Sequence, residues 1–231
     1  MPTDTFTPSE DCWMRGQSST SHADAVAANG SLFRDNQGNT AYVGIGTFFF
    51  ARTYYRFNTT SISIGATVTS AYVQVRLKNT RGVTSDAMEV HKLFKSSDNS
   101  STPSSALFQT ITTTSSTSTT DVGNTPNTDL IFPINGDLGD YLQDCITDNV
   151  QPAFLLRNKG DYDVATEGDP SGVNTRGFYG TSESPAPFLS ITYSLPSTDT
   201  GYGNDVLGVG NSNIANVKGV ATANISKVSG V

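Results

Sequence analysis

Four carboxylates crowd one short stretch of this chain, Asp161, Asp163, Glu167 and Asp169 in GDYDVATEGDPSG. Oxygen ligands at close spacing among glycines suit a hard cation such as Ca2+. The spacing is not that of an EF-hand, and a solvated acidic loop is the preferred reading, so no cofactor is expected unless Ca2+ binds here. Three tyrosines, Tyr54, Tyr72 and Tyr162, could offer aromatic faces to a sugar ring, or could equally cover the outer side of a sheet. Nucleophilic catalysis needs a base turned toward a Ser or Cys. The only histidines, His22 and His91, fall in unrelated stretches, the first in a polar loop and the second on an expected strand. Glycoside hydrolysis needs a positioned carboxylate pair, and no pair stands out. A non-enzymatic protein is expected.

Cys12 and Cys145 are the only cysteines. They either bridge the N-terminal arm to a later element or remain buried thiols. Thiols are preferred, because a large β core needs no staple. Without further ligands they cannot form a zinc site. The formal net charge of −7, with Lys and Arg spread singly, opposes a phosphate-binding groove. Nucleic acid is therefore not an expected partner. No apolar segment is long enough to span a membrane. The start, MPTDTFTPSEDCW, lacks the basic and apolar pattern of a secretory signal. These features point to a soluble chain, either made and assembled in the cytoplasm or exported by a route the sequence does not show.

Strand signals position these residues. In RTYYRF, Tyr55 and Phe57 share one face of an extended segment, with Tyr54 and Arg56 on the other. In AYVQVRL, Ala71, Val73, Val75 and Leu77 oppose Tyr72, Gln74 and Arg76. The intervening SIGATVTS reads as a reversing connection, which predicts two half-buried strands in an antiparallel sheet. Residues 1 to about 40 read as a mixed arm anchored by Trp13, Met14, Leu32 and Phe33. AYVGIGTFFF (41–50) reads as one strand, its glycines marking a bulge or a close backbone approach. The Phe48–Phe50 triplet puts aromatics on both faces. MEVHKLF (88–94) is a further strand. The Ser/Thr-rich region after it is mostly loop, with a strand at 106–112.

From Leu138 the period changes. Leu138, Tyr141, Leu142, Cys145 and Ile146 fall on one helical face, with Asp137 as N-cap. The expected helix is short, lies across an end of the sandwich and turns Cys145 inward. AFLLRN, FYGTSE and PFLSITYSL supply the last strands, with Leu189, Ile191 and Tyr193 on one face.

After a polar linker the chain repeats itself. Val206-Leu-Gly-Val, Val217-Lys-Gly-Val and Val228-Ser-Gly-Val each begin eleven residues after the last, and Ile214 and Ile225 keep the same offset. A Gly and several β-branched residues per copy disfavour helix and favour short β segments with glycine turns. So short a strip cannot bury its own apolar residues. Val206, Val209, Ile214, Val217, Val220, Ile225, Val228 and Val231 are therefore the candidate assembly residues.

RTYYRFNTTSISIGATVTSAYVQVRL resembles the core signature of DNRLRE-type domains, carbohydrate-binding-like jelly rolls. FYGTSESPAPFLSITY resembles their closing signature, with Tyr179 and Thr181 standing for its Phe and Ser. DYLQDCI and FLLRN sit where that family has its helix and following strand. NIANVKGV and NISKVSGV are similar to short repeats that end many bacteriophage structural proteins. Together these imply an all-β fold: a jelly-roll β-sandwich over residues 1–196 with one short helix, then a linker and repeat tail over 197–231. They imply a bacteriophage virion component, a head decoration or part of a fibre or tail, assembled in the host cytoplasm. Its partners would be like copies, as a trimer, and other virion proteins. The alternative is an adhesion module for surface polysaccharide.

Overall fold

The computed structural model describes residues 1–19, 24–25, 31–33, 37–44, 48–82, 90–96, 119–121, 125–158, 173–196, 216–217 and 220–221. The chain divides into two compact units, Met1–Leu195 and Pro196–Val231.

The first unit is an all-β sandwich. Its strands are β1 (Thr3–Phe6), β2 (Pro8–Ser18), β3 (Ser31–Phe33), β4 (Gln37–Gly44), β5 (Phe48–Phe57), β6 (Thr67–Gly82) and β7 (Val90–Lys95). They continue with β8 (Thr119–Asp121), β9 (Asp129–Ile134), β10 (Ala153–Asn158), β11 (Val173–Tyr179) and β12 (Phe188–Ser194). A helix, α1 (Asp137–Thr147), lies between β9 and β10. All pairings are antiparallel. One layer runs β1-β12-β6-β9. The other is built on β5, which pairs with β2 along one edge and with β4 and then β10 along the other. Strand β6 belongs to both layers: residues 67–76 pair with β12 and β9, and residues 77–82 pair with β11, which leads to β4.

Alternation makes the core. Val73 and Val75 from β6, Leu189 and Ile191 from β12, and Leu130 and Phe132 from β9 face Tyr55 and Phe57 of β5 and Phe154 and Leu156 of β10. The apolar face of α1 joins the same cluster through Leu138, Leu142 and Ile146, and Cys145 is buried as well. The helix is tied to β6 through Gln143, whose Oε1 accepts from Val68 N at 2.8 Å while Nε2 donates to Ala66 O at 3.0 Å.

Several sequence expectations change. The segments RTYYRF and AYVQVRL do not pair; they lie in opposite layers and meet through side chains across the core, because the connection between them crosses from one layer to the other. AYVGIGTFFF is not one strand: Val43 pairs with Phe49 and Gly44 with Phe48, so β4 and β5 form a hairpin at the glycines. The supposed arm is sheet, with β1 on β12 and β2 on β5, and its expected anchors meet where Trp13 pairs with Phe33 and Met14 with Leu32. Strand β8 falls inside the Ser/Thr-rich stretch that reads as loop, and β9 begins at its end, Asp129. Gly136, at φ 52, is the N-cap and makes no side-chain capping bond, which puts Asp137 inside the first turn rather than before it. There its charge favours the helix N-terminus. The expected strand at 106–112 and the loop holding His22 lie outside the described residues.

A second cluster covers the far side of the β5 layer: Cys12, Met14, Ala25, Phe50, Tyr54, Phe94, Ala153 and Leu155. Strand β10 is accordingly buried at every position, which explains why AFLLRN reads as a continuous apolar run instead of alternating. Both cysteines are free, buried thiols. Burial, reinforced by the Asp11 charge, pushes the Cys12 thiol up to about 12. Burial also pushes Cys145 up to about 11. Neither thiolate forms near neutrality, so a thiol reagent at mildly alkaline pH should leave the native protein unmodified and label both cysteines in guanidinium. Labelling of either one in the native state would contradict this packing.

Gly38 on β4 lies close against side chains of β5 in the same layer. A Cβ there would lie 2.7 Å from Tyr55 Oη and 2.8 Å from Thr53 Cγ2. Both neighbours are fully buried and have no room to retreat. Gly38→Ala should cost about 1–3 kcal/mol of stability, read from the urea midpoint.

Candidate functional site

The outward face of the β1-β12-β6-β9 layer collects the side chains that the core rejects. On β6 the outward positions are Ser70, Tyr72, Gln74 and Arg76, alternating with the buried Ala71, Val73 and Val75. Register fixes their neighbours. Tyr72 lies between Ser190 of β12 and Pro133 of β9. Gln74 lies between Phe188 and Ile131, and Arg76 is opposite Asp129. Farther along, Ser70 pairs with Thr192, whose hydroxyl meets that of Thr3 at 2.9 Å.

Two features give this face definition. Tyr72 and Phe188 meet edge to face, with ring centroids 5.9 Å apart and planes at 68°. That diagonal contact across β6 and β12 is the favoured aromatic geometry. Both rings are half-buried, and Ile131 beside them is 49% exposed. Arg76 clamps Asp129 with two hydrogen bonds, Nε to Oδ1 at 2.6 Å and Nη2 to Oδ2 at 2.7 Å. Just past it, Lys78 pairs with Glu183, whose other oxygen accepts from Gly180 N at 3.1 Å. The face thus carries its charges as matched pairs.

The clamp sets a pH dependence. Hydrogen bonding from Arg76, with its charge adding, outweighs partial burial and holds the Asp129 carboxyl below its ordinary range. A carboxyl lowered in the folded state contributes stability that is whole above the ordinary Asp value near 3.9 and is lost as pH falls through the lowered folded value. Asp129→Asn should therefore lower stability slightly at neutrality, where the clamp is fully formed, and flatten the acid limb below about pH 4, where the parent loses that same contribution. The effect should be modest, because both side chains are about one-third exposed. An acid limb identical to that of the parent would show that the clamp adds nothing to stability.

Of the tyrosines weighed for sugar contact, only Tyr72 lies on this face. Tyr54 is fully buried in the cluster behind the β5 layer and has no ring face to offer; it covers the outer side of that sheet, the competing reading of the same residue. Tyr162 and the four carboxylates Asp161, Asp163, Glu167 and Asp169 lie outside the described residues. Among the described residues, no group of three or more His, Cys, Asp or Glu is placed to hold a metal, and no helix is long and apolar enough to cross a membrane. His91 lies on β7, opposite Thr120 and Asn158.

Gln74 and Arg76 share the outward face of β6 with Tyr72, as the alternation in AYVQVRL predicts, whereas Phe188, Ile131 and Asp129 were not legible as its neighbours, since their proximity depends on pairing across three strands. The available signal was the alternation in DLIFPI, which leaves Asp129, Ile131 and Pro133 outward.

Of the candidate assembly residues, Val217 and Val220 lie in described strands. β13 (Asn216–Val217) and β14 (Val220–Ala221) pair antiparallel, Val217 with Val220 and Asn216 with Ala221. Two residues, Lys218 and Gly219, separate the strands, the spacing of a two-residue hairpin with Gly at its second central position. Val206, Val209, Ile214, Ile225, Val228 and Val231 lie outside the described residues.

The fold class is that of an all-β sandwich with a helix inserted between its strands. No known protein family matches the chain, and no curated protein does either.

Proposed function

We propose that the chain is a non-enzymatic structural protein of a bacteriophage virion, a head decoration or a fibre or tail component, that displays its sandwich and assembles through its C-terminal repeats. The observation that carries this reading is the triple eleven-residue repeat, which occupies a compact unit of its own beyond a completed sandwich. The middle copy pairs as a short hairpin across V-K-G-V. The first and third copies, V-L-G-V and V-S-G-V, place valines and glycine at the same positions. A two-stranded hairpin of this size has too little apolar surface to stand alone in water. Equivalent hairpins therefore find their apolar partners in other copies, as a trimer, or in other virion proteins. The likeness of NIANVKGV and NISKVSGV to phage terminal repeats supports the same reading, as does an acidic chain without a basic stripe.

Removing residues 205–231 should reduce the mass measured by light scattering to that of a single chain, with the sandwich still folded. An oligomer of unchanged mass would overturn the assembly role.

A further inference from the structure

We propose that Asn135 is a self-modification site, at which the folded protein converts asparagine to isoaspartate without an enzyme. This inference does not depend on the assembly role.

The chemistry needs an asparagine followed by a residue whose backbone nitrogen can reach the side-chain carbonyl carbon. Gly136 follows Asn135, and with no Cβ it leaves that approach open. Among the described residues, every other asparagine precedes a residue with a side chain, most often threonine. The fold does not withdraw the pair. Both residues are exposed, in the short connection from β9 to α1. Among the described residues, the Asn135 amide makes no hydrogen bond and the Gly136 N–H donates to no acceptor. Other asparagine side chains are engaged: Asn58 Oδ1 accepts from the backbone N and the hydroxyl of Thr60, and Asn127 Oδ1 accepts from Tyr179 Oη.

The peptide between Asn135 and Gly136 is polarised for the attack. Asn135 O accepts from Leu138 N at 3.2 Å and from Gly139 N at 3.3 Å. Donors on that oxygen draw electron density from the peptide nitrogen, which makes the Gly136 N–H a readier acid. The step balances with water and hydroxide alone. Gly136 N loses its proton to hydroxide and attacks Asn135 Cγ, and the side-chain nitrogen leaves as ammonia, closing a succinimide ring. Water then opens the ring. Opening at Cγ gives aspartate, and opening at the main-chain carbonyl carbon gives isoaspartate. The amide nitrogen on Cα makes that second carbon the more electrophilic, so isoaspartate leads.

The product changes the junction. One methylene enters the main chain, and the carbonyl that accepted from Leu138 N and Gly139 N becomes a carboxylate on a side branch. The first turn of α1 is then no longer fixed to the end of β9 by main-chain geometry.

The test is storage of the full-length protein at mildly alkaline pH and physiological temperature, followed by peptide mapping with mass spectrometry. Asn135 should gain the mass difference between an amide and an acid about tenfold faster than any other described asparagine. The rate should rise with pH, because the attacking group is the amide anion. An isoaspartate-specific methyltransferase with a labelled methyl donor should mark the same peptide. In converted protein, separated by its added negative charge, the Leu138 and Gly139 amides should exchange with deuterium faster than in fresh protein. Asn135→Asp adds the charge without the methylene and should exchange as fresh protein does. The proposal is overturned if Asn135 stays intact in the native protein, if another described asparagine converts first, or if aspartate is the sole product. It is equally overturned if converted protein exchanges as fresh protein does, or if Asn135→Asp exchanges as fast as converted protein.

Discussion

The sandwich depends on the register of β6. This strand runs through both layers, and its alternation sends Ala71, Val73, Val75 and Leu77 into the core while Tyr72, Gln74 and Arg76 face outward. A slip of one residue would exchange the two sets, burying a guanidinium and exposing four apolar side chains. The core alone strongly disfavours that slip. Cross-strand contacts add local markers of the correct register: Arg76 meets Asp129, Lys78 meets Glu183, and Tyr72 meets the ring of Phe188. The contacts that define the outward face therefore also hold it in place.

The β5 layer is constrained differently. Its inner face meets β6 and β12. Its outer face carries the second cluster, which joins Tyr54 of β5 and Ala153 and Leu155 of β10 to Cys12 and Met14 of the neighbouring β2. Most side chains on both faces of β5 and β10 are therefore dry. Polar groups there must be satisfied within the protein. Arg157 lies with its guanidinium 4.7 Å from the Phe94 ring centroid, a cation–π arrangement that gains strength from desolvation. Tyr141, at the rim, donates to Ala153 O at 3.2 Å and accepts from Ala153 N at 3.0 Å. One phenol thus serves both backbone groups at the start of β10 and fastens the helix to the layer that its own apolar face helps to cover.

What the sequence made legible follows from these constraints. Strands with one wet face, such as β6 and β12, alternate and could be read directly, as could the helix from its 3.6-residue period. A strand buried on both faces, such as β10, does not alternate. β2 does alternate in burial from Cys12 to Gly16, but its buried positions there, Cys12, Met14 and Gly16, are not a row of large apolar residues, so it read as part of an arm. Two strands separated by only three residues, β4 and β5, read as one across 41–50. Tyr54 and Tyr72 looked equivalent because period alone does not say whether a sheet's second face is wet or covered. That depends on contacts between distant segments: Tyr54 packs in one cluster with Cys12, Met14, Ala25 and Phe94. The site was legible to the extent of the outward row of β6, Tyr72, Gln74 and Arg76, since its other members are assembled by register between β6, β9 and β12.

The same reasoning separates the residues that carry a likeness from those that carry chemistry. In the stretch 51–77, the positions that make the pattern distinctive, Tyr55, Phe57, Val73 and Val75, are buried without remainder. In YGTSE, Thr181 donates from its backbone N and its hydroxyl to Asp11, at 3.0 and 2.9 Å, tying the loop before β12 to β2. Glu183 is engaged by Lys78 and by Gly180 N. Side chains committed in this way have nothing left to offer a ligand, so a pattern built from them can recur wherever this sandwich closes, whatever its surface binds. Discrimination has to come from positions the fold leaves unspent, such as Tyr72 and Gln74 among the described residues of the sandwich.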